Sequence, residues 1–222
     1  MRDRRAIRVF RPDPVPDKFL DMILEAGRWT PSGGNSQPWE LLVIKSEEKR
    51  ARLSEILQEM GRWEHEWEKE NDPTRRFPIN SLVYTKTVPV FIVVILDPRL
   101  KKVTFQVGDG SEDRIYRQSA GHLVQNIWLM VQALGLSMVD ITVRHVEGMV
   151  KDAFGIPEDF EVSDILPIGY SNQTRSKDRR TLQEFVHFDC FDKGKLRTSE
   201  QINSMAKDSS VLASNCFGKI VV

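Results

Sequence analysis

Residues 88–96 read VPVFIVVIL and form the longest apolar run of the chain. A short run this rich in β-branched residues is typical of a central strand that is covered on both faces of its sheet. It is too short to cross a bilayer, since a membrane helix needs about 20 apolar residues. The sequence therefore predicts a buried sheet built around this strand.

Helices and further strands alternate on either side of the central run. Apolar residues at helical spacing predict helices over 17–29, 46–60, 112–136 and 146–154, and apolar runs predict strands over 39–45, 136–143 and 162–170. The strand over 39–45 is expected to be buried. The helix over 112–136 is apolar almost all round from Leu123 onward, which indicates burial against a sheet or a partner chain. This order predicts an α/β or α+β sheet with helices on its faces.

The composition excludes several classes of protein. The 32 basic and 32 acidic residues cancel, so no global field attracts the chain to nucleic acid or to an anionic membrane. Cys190 and Cys216 are too few for a disulfide framework, a zinc ribbon or an iron–sulfur cluster, and a cytoplasmic location is expected. A length of 222 residues fits one domain, alone or with an appendage.

Two segments differ from the rest of the chain. Residues 58–82 are dense in charge and carry Trp63 and Trp67; they form either an exposed helix with an aromatic stripe on the core, or a lid that faces the substrate. Residues 190–222 lose helical and strand periodicity. They form either a frayed tail or an arm that packs on a second subunit.

Two polar motifs precede the predicted sheet. The segment RRAIRVF, residues 4–10, contains three arginines, whose planar guanidinium groups suit phosphate. The loop in TPSGGNSQPWELLVI, residues 30–44, offers closely spaced backbone N–H groups and polar side chains that can cradle a phosphorylated, hydroxylated ligand. Each motif also has a plain interpretation, as a solvated basic terminus and as a helix-to-strand connection.

Other motifs carry no function. HEWEK, residues 65–69, has Lys69 where a zinc motif needs its second histidine, and GDGS, residues 108–111, lacks the spacing of a dinucleotide-binding loop. His122 and His145 are isolated in sequence, so structural roles are expected for them. We therefore expect no metal site.

The order of the two polar motifs resembles the opening of the nitroreductase family of flavin enzymes. The resemblance continues through HLVQNIWLMVQALGLSMVDI, residues 122–141, and LPIGYSNQTRSKDRRTL, residues 166–182. It covers roughly residues 2–189, so a domain over 1–189 is expected, with 190–222 as the tail or dimer arm. It implies an α+β three-layer sandwich with a central mixed, mostly antiparallel sheet flanked by helices, in an intertwined homodimer with FMN at its interface.

The resemblance also implies site residues. Arg4 and Arg8, with Arg5 and Ala6 through the main chain, match the segment that holds the FMN phosphate and ribityl chain, and Arg179 matches a further phosphate ligand. Ala6 departs from the serine or threonine of many relatives, which removes one hydroxyl. The remaining matches border the isoalloxazine and ribityl groups; they are Pro31, Ser32, Asn35 and Gln37 in the loop, and residues 140–142, with Ile141 and Thr142, near the flavin N5 edge.

The implied function is an FMN-dependent oxidoreductase. It would transfer electrons from NAD(P)H by ping-pong flavin chemistry to a nitroaromatic, a quinone or a similar small acceptor, with no catalytic side chain of its own. The alternatives are a reductive dehalogenase of the iodotyrosine deiodinase type, a flavin-fragmenting relative, and a non-catalytic flavin-binding or storage protein.

Overall fold

The computed structural model describes residues 3–71, 81–103, 110–173 and 179–205. Among these, residues 3–60 and 82–173 form one compact unit, and residues 61–71, 81 and 179–205 belong to a second. The predicted domain over 1–189 and the arm over 190–222 stay predictions.

The first unit is built on a five-stranded sheet. Its strands are β1 (Trp39–Ile44), β2 (Val90–Leu96), β3 (Ser137–Met138), β4 (Ile141–Thr142) and β5 (Glu161–Gly169). They run in the order β1-β2-β5-β3, and β4 also pairs with β5. All of these strand pairs are antiparallel. A parallel bridge joins Ala6 to Met138 and adds the N-terminal segment to the sheet edge.

The prediction of a central buried strand is confirmed. Every residue of β2 is buried, and β2 pairs with β1 on one side and β5 on the other. The prediction that 39–45 is buried is wrong in part, because β1 lies at the edge of the described sheet and only Ile44 is fully buried.

In the described part of the chain, four α-helices accompany the sheet. They are α1 (Asp17–Arg28), α2 (Glu47–Asn71), α3 (Ser111–Ala133) and α4 (Glu147–Phe154). Helices α1 and α3 pack against each other and against one face of β2 and β5 in a single apolar core. Helix α2 continues well beyond residue 60, into the segment that the sequence set apart. An α+β arrangement with helices flanking a mostly antiparallel sheet is therefore confirmed.

The single strand predicted over 136–143 is instead two short pieces. Both pieces keep one register on β5, because Met138 pairs with Ile168 and Ile141 pairs with Ile165. Pro167 lies between these two partners on β5 and has no N–H to donate to the ladder. The pairing is therefore interrupted at Val139 and Asp140.

The second unit is built from the end of α2 and the C-terminal segment. Thr181 and Glu184 form a capping box at a short 3-10 helix, in which the Glu184 carboxylate accepts from the Thr181 backbone N–H at 2.6 Å. His187 stacks on Phe191 with ring centroids 4.3 Å apart. Many apolar side chains of this segment are exposed, namely Leu182, Phe185, Phe188, Phe191, Leu196, Ile202 and Met205.

Candidate functional site

The arginine-rich segment is held along the edge of the sheet. The Ile7 backbone N–H donates to the Met138 carbonyl at 3.1 Å, and the Arg11 backbone N–H donates to the Tyr170 carbonyl at 2.9 Å. Ile7 and Phe10 are buried, which anchors the segment in the core. The arginines are therefore carried by a fixed backbone beside β3 and the end of β5.

Each of the outer two arginines has its own support. The Arg4 guanidinium lies over the Trp128 ring of α3, 4.4 Å from the ring centroid. The Arg8 backbone N–H donates to the Gln173 side-chain oxygen at 3.0 Å. The Arg8 side chain hydrogen-bonds the buried Tyr84 hydroxyl. These contacts orient two guanidinium groups while leaving them half-exposed.

Two opposing effects act on the pKa of the Tyr84 hydroxyl. Burial raises the pKa of Tyr84 well above its ordinary value, and the charge and hydrogen bond of Arg8 lower it in part. The hydroxyl therefore stays neutral at any physiological pH and serves as a fixed partner for Arg8.

The polar loop is strained and tied to α3. Its backbone has positive φ at Gly34 (60°), Asn35 (51°) and Gln37 (42°), a conformation that non-glycine residues adopt at a cost. The Gly33 N–H donates to the Ser119 hydroxyl at 3.3 Å, which fixes the loop on the helix. Strain of this kind clusters at ligand-binding segments.

Side chains inside the loop bind one another. The Gln37 backbone N–H donates to Ser32 Oγ at 2.9 Å, and Gln37 Nε2 donates to Asn35 Oδ1 at 3.2 Å. Because a hydroxyl both accepts and donates, Ser32 keeps its own hydrogen for a ligand. Pro31 is exposed at the start of the loop.

The third predicted segment is β4. Ile141 is buried and Thr142 is exposed, so the two side chains point to opposite faces. Just before them, the pKa of Asp140 is raised to about 7 by burial and by the neighbouring Asp164 carboxyl. Carboxyl groups with a strongly raised pKa cluster at functional sites, so Asp140 is a candidate for a functional role.

The structure brings some of the predicted residues together and separates others. Ala6, in the segment that carries Arg4, Arg5 and Arg8, pairs with Met138, three residues before Ile141 and four before Thr142. The loop with Pro31, Ser32, Asn35 and Gln37 contacts α3 at Ser119, nine residues before Trp128. Arg179 is exposed and belongs to the second unit, so its role as a phosphate ligand stays a prediction.

The sequence did not reveal the residues that support the arginines. Tyr84, Trp128 and Gln173 lie far from Arg4 and Arg8 along the chain, and the Arg8–Gln173 contact joins positions 165 residues apart. The pairing of Asp140 with Asp164 was missed for the same reason. The one sequence signal for these supports is GYSNQ, residues 169–173, which places polar side chains, Gln173 among them, at the end of β5.

Other sites are absent from the described parts of the chain. Within residues 3–71, 81–103, 110–173 and 179–205, no group of three or more His, Cys, Asp or Glu side chains could hold a metal ion. Among the helices over these same residues, none has the length and apolar character needed to span a bilayer. Cys190 is a free, exposed cysteine.

The protein is therefore an α+β protein with an arginine-rich segment held along one edge of its sheet. Residues 1–170 match the family described as Nitroreductase family, and the chain belongs to this family. It is accordingly an oxidoreductase, which confirms the resemblance seen in the sequence.

Individual relatives agree with this assignment. A protein of Archaeoglobus fulgidus named as an NADH dehydrogenase/NAD(P)H nitroreductase is 26% identical over 170 residues, covering 75% of this chain and 80% of that protein. Iodotyrosine deiodinase 1 of Rattus norvegicus is 26% identical over 178 residues, which cover 77% of this chain and 60% of the deiodinase. The solved structure of an FMN-dependent nitroreductase from Clostridium difficile has the same fold, with a TM-score of 0.64 and 23% identity. The match covers 86% of this chain and 97% of the nitroreductase chain.

Proposed function

We propose that this protein is an FMN-dependent oxidoreductase that passes electrons from NAD(P)H to a nitroaromatic, a quinone or a similar small acceptor. Family membership supports the redox activity, and the relative named for NAD(P)H nitroreductase activity supports the electron donor. The observation that carries the choice of cofactor is the arginine segment, anchored beside β3 and the end of β5.

The phosphate of FMN fits this segment. A phosphomonoester carries nearly two negative charges at neutral pH, and guanidinium groups bind it through paired hydrogen bonds. Trp128 holds Arg4, and Tyr84 with Gln173 holds Arg8, so little conformational entropy is lost on binding. Arg5 and Ala6 contribute main-chain contacts in this proposal. Arg179 contributes a third guanidinium.

The ring and ribityl groups fit the loop and β4. Ser32, Asn35 and Gln37 present polar groups on a strained, preorganised backbone, and the exposed Thr142 hydroxyl offers a further donor. When bound, FMN supplies the redox chemistry, because its ring system accepts electrons from NAD(P)H and gives them to the acceptor. The residues of this chain bind and orient the flavin.

The position of the loop supports a site shared between two copies. Ser119, which binds the loop, and Trp128, which binds Arg4, are nine residues apart on α3. Nine residues span about 13.5 Å along a helix and turn by about 900°, which places the two side chains on opposite faces. We therefore propose a homodimer in which the arginines of one protomer and the loop of its partner complete each FMN site.

The C-terminal segment offers surface for such a dimer. Its exposed apolar side chains include Phe191, which is 63% exposed, and Leu196, which is 59% exposed. A monomer rarely leaves so many large apolar groups in water. We propose that the chain from residue 190 onward packs on the second copy, as the arm expected over 190–222.

A dehalogenase of the iodotyrosine deiodinase type is the second candidate. The relative with that name supports it, and so does the extension of α2 to Asn71, which presents Trp63 and Trp67 at 55% and 54% exposure. An exposed aromatic pair on a helical extension suits a lid over an aromatic substrate. Flavin fragmentation is a further alternative, and flavin storage is one that the same experiment tests.

The test is an anaerobic visible spectrum of the purified protein with FMN, before and after addition of NADH or NADPH. Flavin bands that bleach support the reductase, and nitroaromatics, quinones and halotyrosines then identify the acceptor. The matched control is the double variant Arg4→Ala/Arg8→Ala, which should not retain FMN through gel filtration.

Each outcome separates the candidates. Turnover of halotyrosines alone favours the dehalogenase. Bound flavin that neither nicotinamide reduces favours the storage protein. A failure to bind added FMN contradicts the proposed function.

A further inference from the structure

Two aspartates meet where β4 pairs with β5. Asp140 directly precedes β4, and its carboxyl hydrogen-bonds that of Asp164 on β5. Asp164 also accepts from the Ser163 hydroxyl and lies opposite Thr142 in the β4–β5 pairing. The second oxygen of Asp140, Oδ1, is buried and has no hydrogen-bond partner in the part of the chain that the structure describes.

This geometry requires a shared proton. Two ionised carboxylates have acceptors only, so a hydrogen bond between them needs one proton. Burial adds to the requirement, because it disfavours the second negative charge; together the two effects raise the pKa of Asp140 to about 7. Above this pH Asp140 loses its proton, which adds a negative charge beside the Asp164 carboxyl.

The surroundings offer little compensation for a second charge. Strand β2 places the apolar Val94 opposite Asp164. Beyond β4, Arg144 and His145 are exposed, and the arginines of the N-terminal segment run beside Met138. Burial and the Asp164 carboxyl are the causes that act on Asp140.

The strand next to this pair is short. Strand β4 is joined to β5 through Ile141 and Thr142, followed by the Val143 N–H, which donates to the Ser163 carbonyl at 3.2 Å. Pro167 interrupts the pairing on the other side of Asp140. The Asp140–Asp164 hydrogen bond therefore spans a gap in the ladder.

We propose that Asp140 is a positioning residue for the flavin site, which shares one proton with Asp164 to hold β4 on β5, so that loss of this proton weakens FMN binding. This inference rests on the proposed function. Two adjacent negative charges repel each other and part the strands, and they also oppose the charge of FMN.

The test is the FMN dissociation constant of the full-length protein between pH 6 and pH 9, from quenching of flavin fluorescence. In the limit where only the protonated pair binds, the constant rises about tenfold for each pH unit above the pKa. The variant Asp140→Asn keeps a donor for Asp164 but cannot titrate. Its dissociation constant should therefore lack this rise, while Asp140→Ala should bind weakly at every pH.

A second measurement does not need the flavin. A carboxyl whose folded pKa lies above its unfolded value adds stability at acidic pH, which is lost as pH rises toward about 7. The urea midpoint of the FMN-free protein should therefore fall between pH 5 and pH 7 in the wild type, and fall less in Asp140→Asn.

The two readouts separate the hypotheses. The same pH dependence of FMN binding in wild type and Asp140→Asn overturns the inference. If FMN does not bind at any pH, but the urea midpoint still falls more in the wild type than in Asp140→Asn, the result contradicts the proposed function and supports the shared proton.

Discussion

Arg4 differs from an ordinary surface arginine in that a neutral aromatic ring holds its guanidinium group. An ion pair with a carboxylate would compete with a bound phosphate, as Glu25 would at Arg28, where the guanidinium and carboxylate are 2.6 Å apart. Trp128 orients Arg4 through its aromatic ring and carries no charge that would neutralise the guanidinium. The positive charge of Arg4 can therefore act on a ligand.

Replacing Arg4 with alanine should weaken FMN binding. A charge-assisted hydrogen bond is worth about 1.5–3 kcal/mol, so the dissociation constant should rise about 10- to 150-fold, as titration of the FMN-free protein would measure. Arg28→Ala, which removes an exposed arginine of α1, is the matched control and should bind normally. Unchanged affinity in both Arg4→Ala and Arg179→Ala would exclude the assignment of the phosphate ligands.

Two buried tyrosines should respond in opposite ways to loss of their hydroxyl. Tyr116 is fully buried, and its hydroxyl has no hydrogen-bond partner among the described residues. Burying such a group costs about 1–3 kcal/mol, so Tyr116→Phe should raise the free energy of unfolding by about 1 kcal/mol. The Tyr84 hydroxyl binds Arg8, so Tyr84→Phe should lower it by about 1–3 kcal/mol.

Urea unfolding of the FMN-free protein measures both changes. The ring of Tyr116 keeps its contact with Lys101, whose ammonium lies 4.6 Å from the ring centroid, because phenylalanine retains the aromatic face. Equal destabilisation by both substitutions would mean that the Tyr116 hydroxyl is satisfied from outside the described part of the chain.

At the scale of elements, the end of β5 depends on a close approach that only glycine allows. A Cβ on Gly169 would lie 2.7 Å from Pro89 Cδ and 2.8 Å from Pro89 Cγ, and 3.4 Å from Phe10 Cδ1. The rigid proline ring cannot rotate away. The approach brings β5 against the start of β2 and the anchor of the arginine segment.

Gly169→Ala should therefore destabilise the protein by about 1–3 kcal/mol, the usual cost of overpacking. Its urea midpoint should fall. Gly148→Ala is the control, since a Cβ there meets no atom within 4 Å and α4 should gain from the better helix former. A urea midpoint for Gly169→Ala as high as that of Gly148→Ala would contradict this prediction and show that Pro89 shifts at little cost.

Elements with clear periodicity could be predicted from the sequence, and interrupted ones could not. Helix α1 and strands β2 and β5 lie within one or two residues of their predicted bounds, because each has one dominant pattern of apolar residues. The strand over 136–143 divides because of Pro167, about 30 residues away in sequence. That cause is visible only once the register on β5 is known.

The candidate site was predictable to a similar extent. The arginines and the glycine-containing loop carry their signal in residue type and order. Their supports, such as Trp128 for Arg4, are ordinary core residues that acquire a role through long-range packing. The loop and Arg4 contact opposite faces of α3. This could not be predicted from the sequence, because it depends on which residues of α3 they contact in the folded chain.

At the scale of the whole molecule, the proposed dimer follows from this opposite placement. If one copy cannot bring both halves of the site to one ligand, FMN binding requires a second copy. FMN-bound protein should then have twice the 25.6 kDa mass of the chain, as light scattering after gel filtration would measure. A monomer that binds FMN with full affinity would contradict the shared site.

Mixed dimers test the sharing directly. One protomer carries Arg4→Ala/Arg8→Ala, its partner carries Ser32→Ala/Asn35→Ala, and two different affinity tags isolate the mixed species. If each site takes its arginines from one protomer and its loop from the other, one site of the mixed dimer has both changes and the other has neither. FMN should then fill half of the sites with wild-type affinity, although both altered homodimers bind weakly. If each site instead lies within one chain, every site of the mixed dimer is altered, and no fraction with wild-type affinity appears.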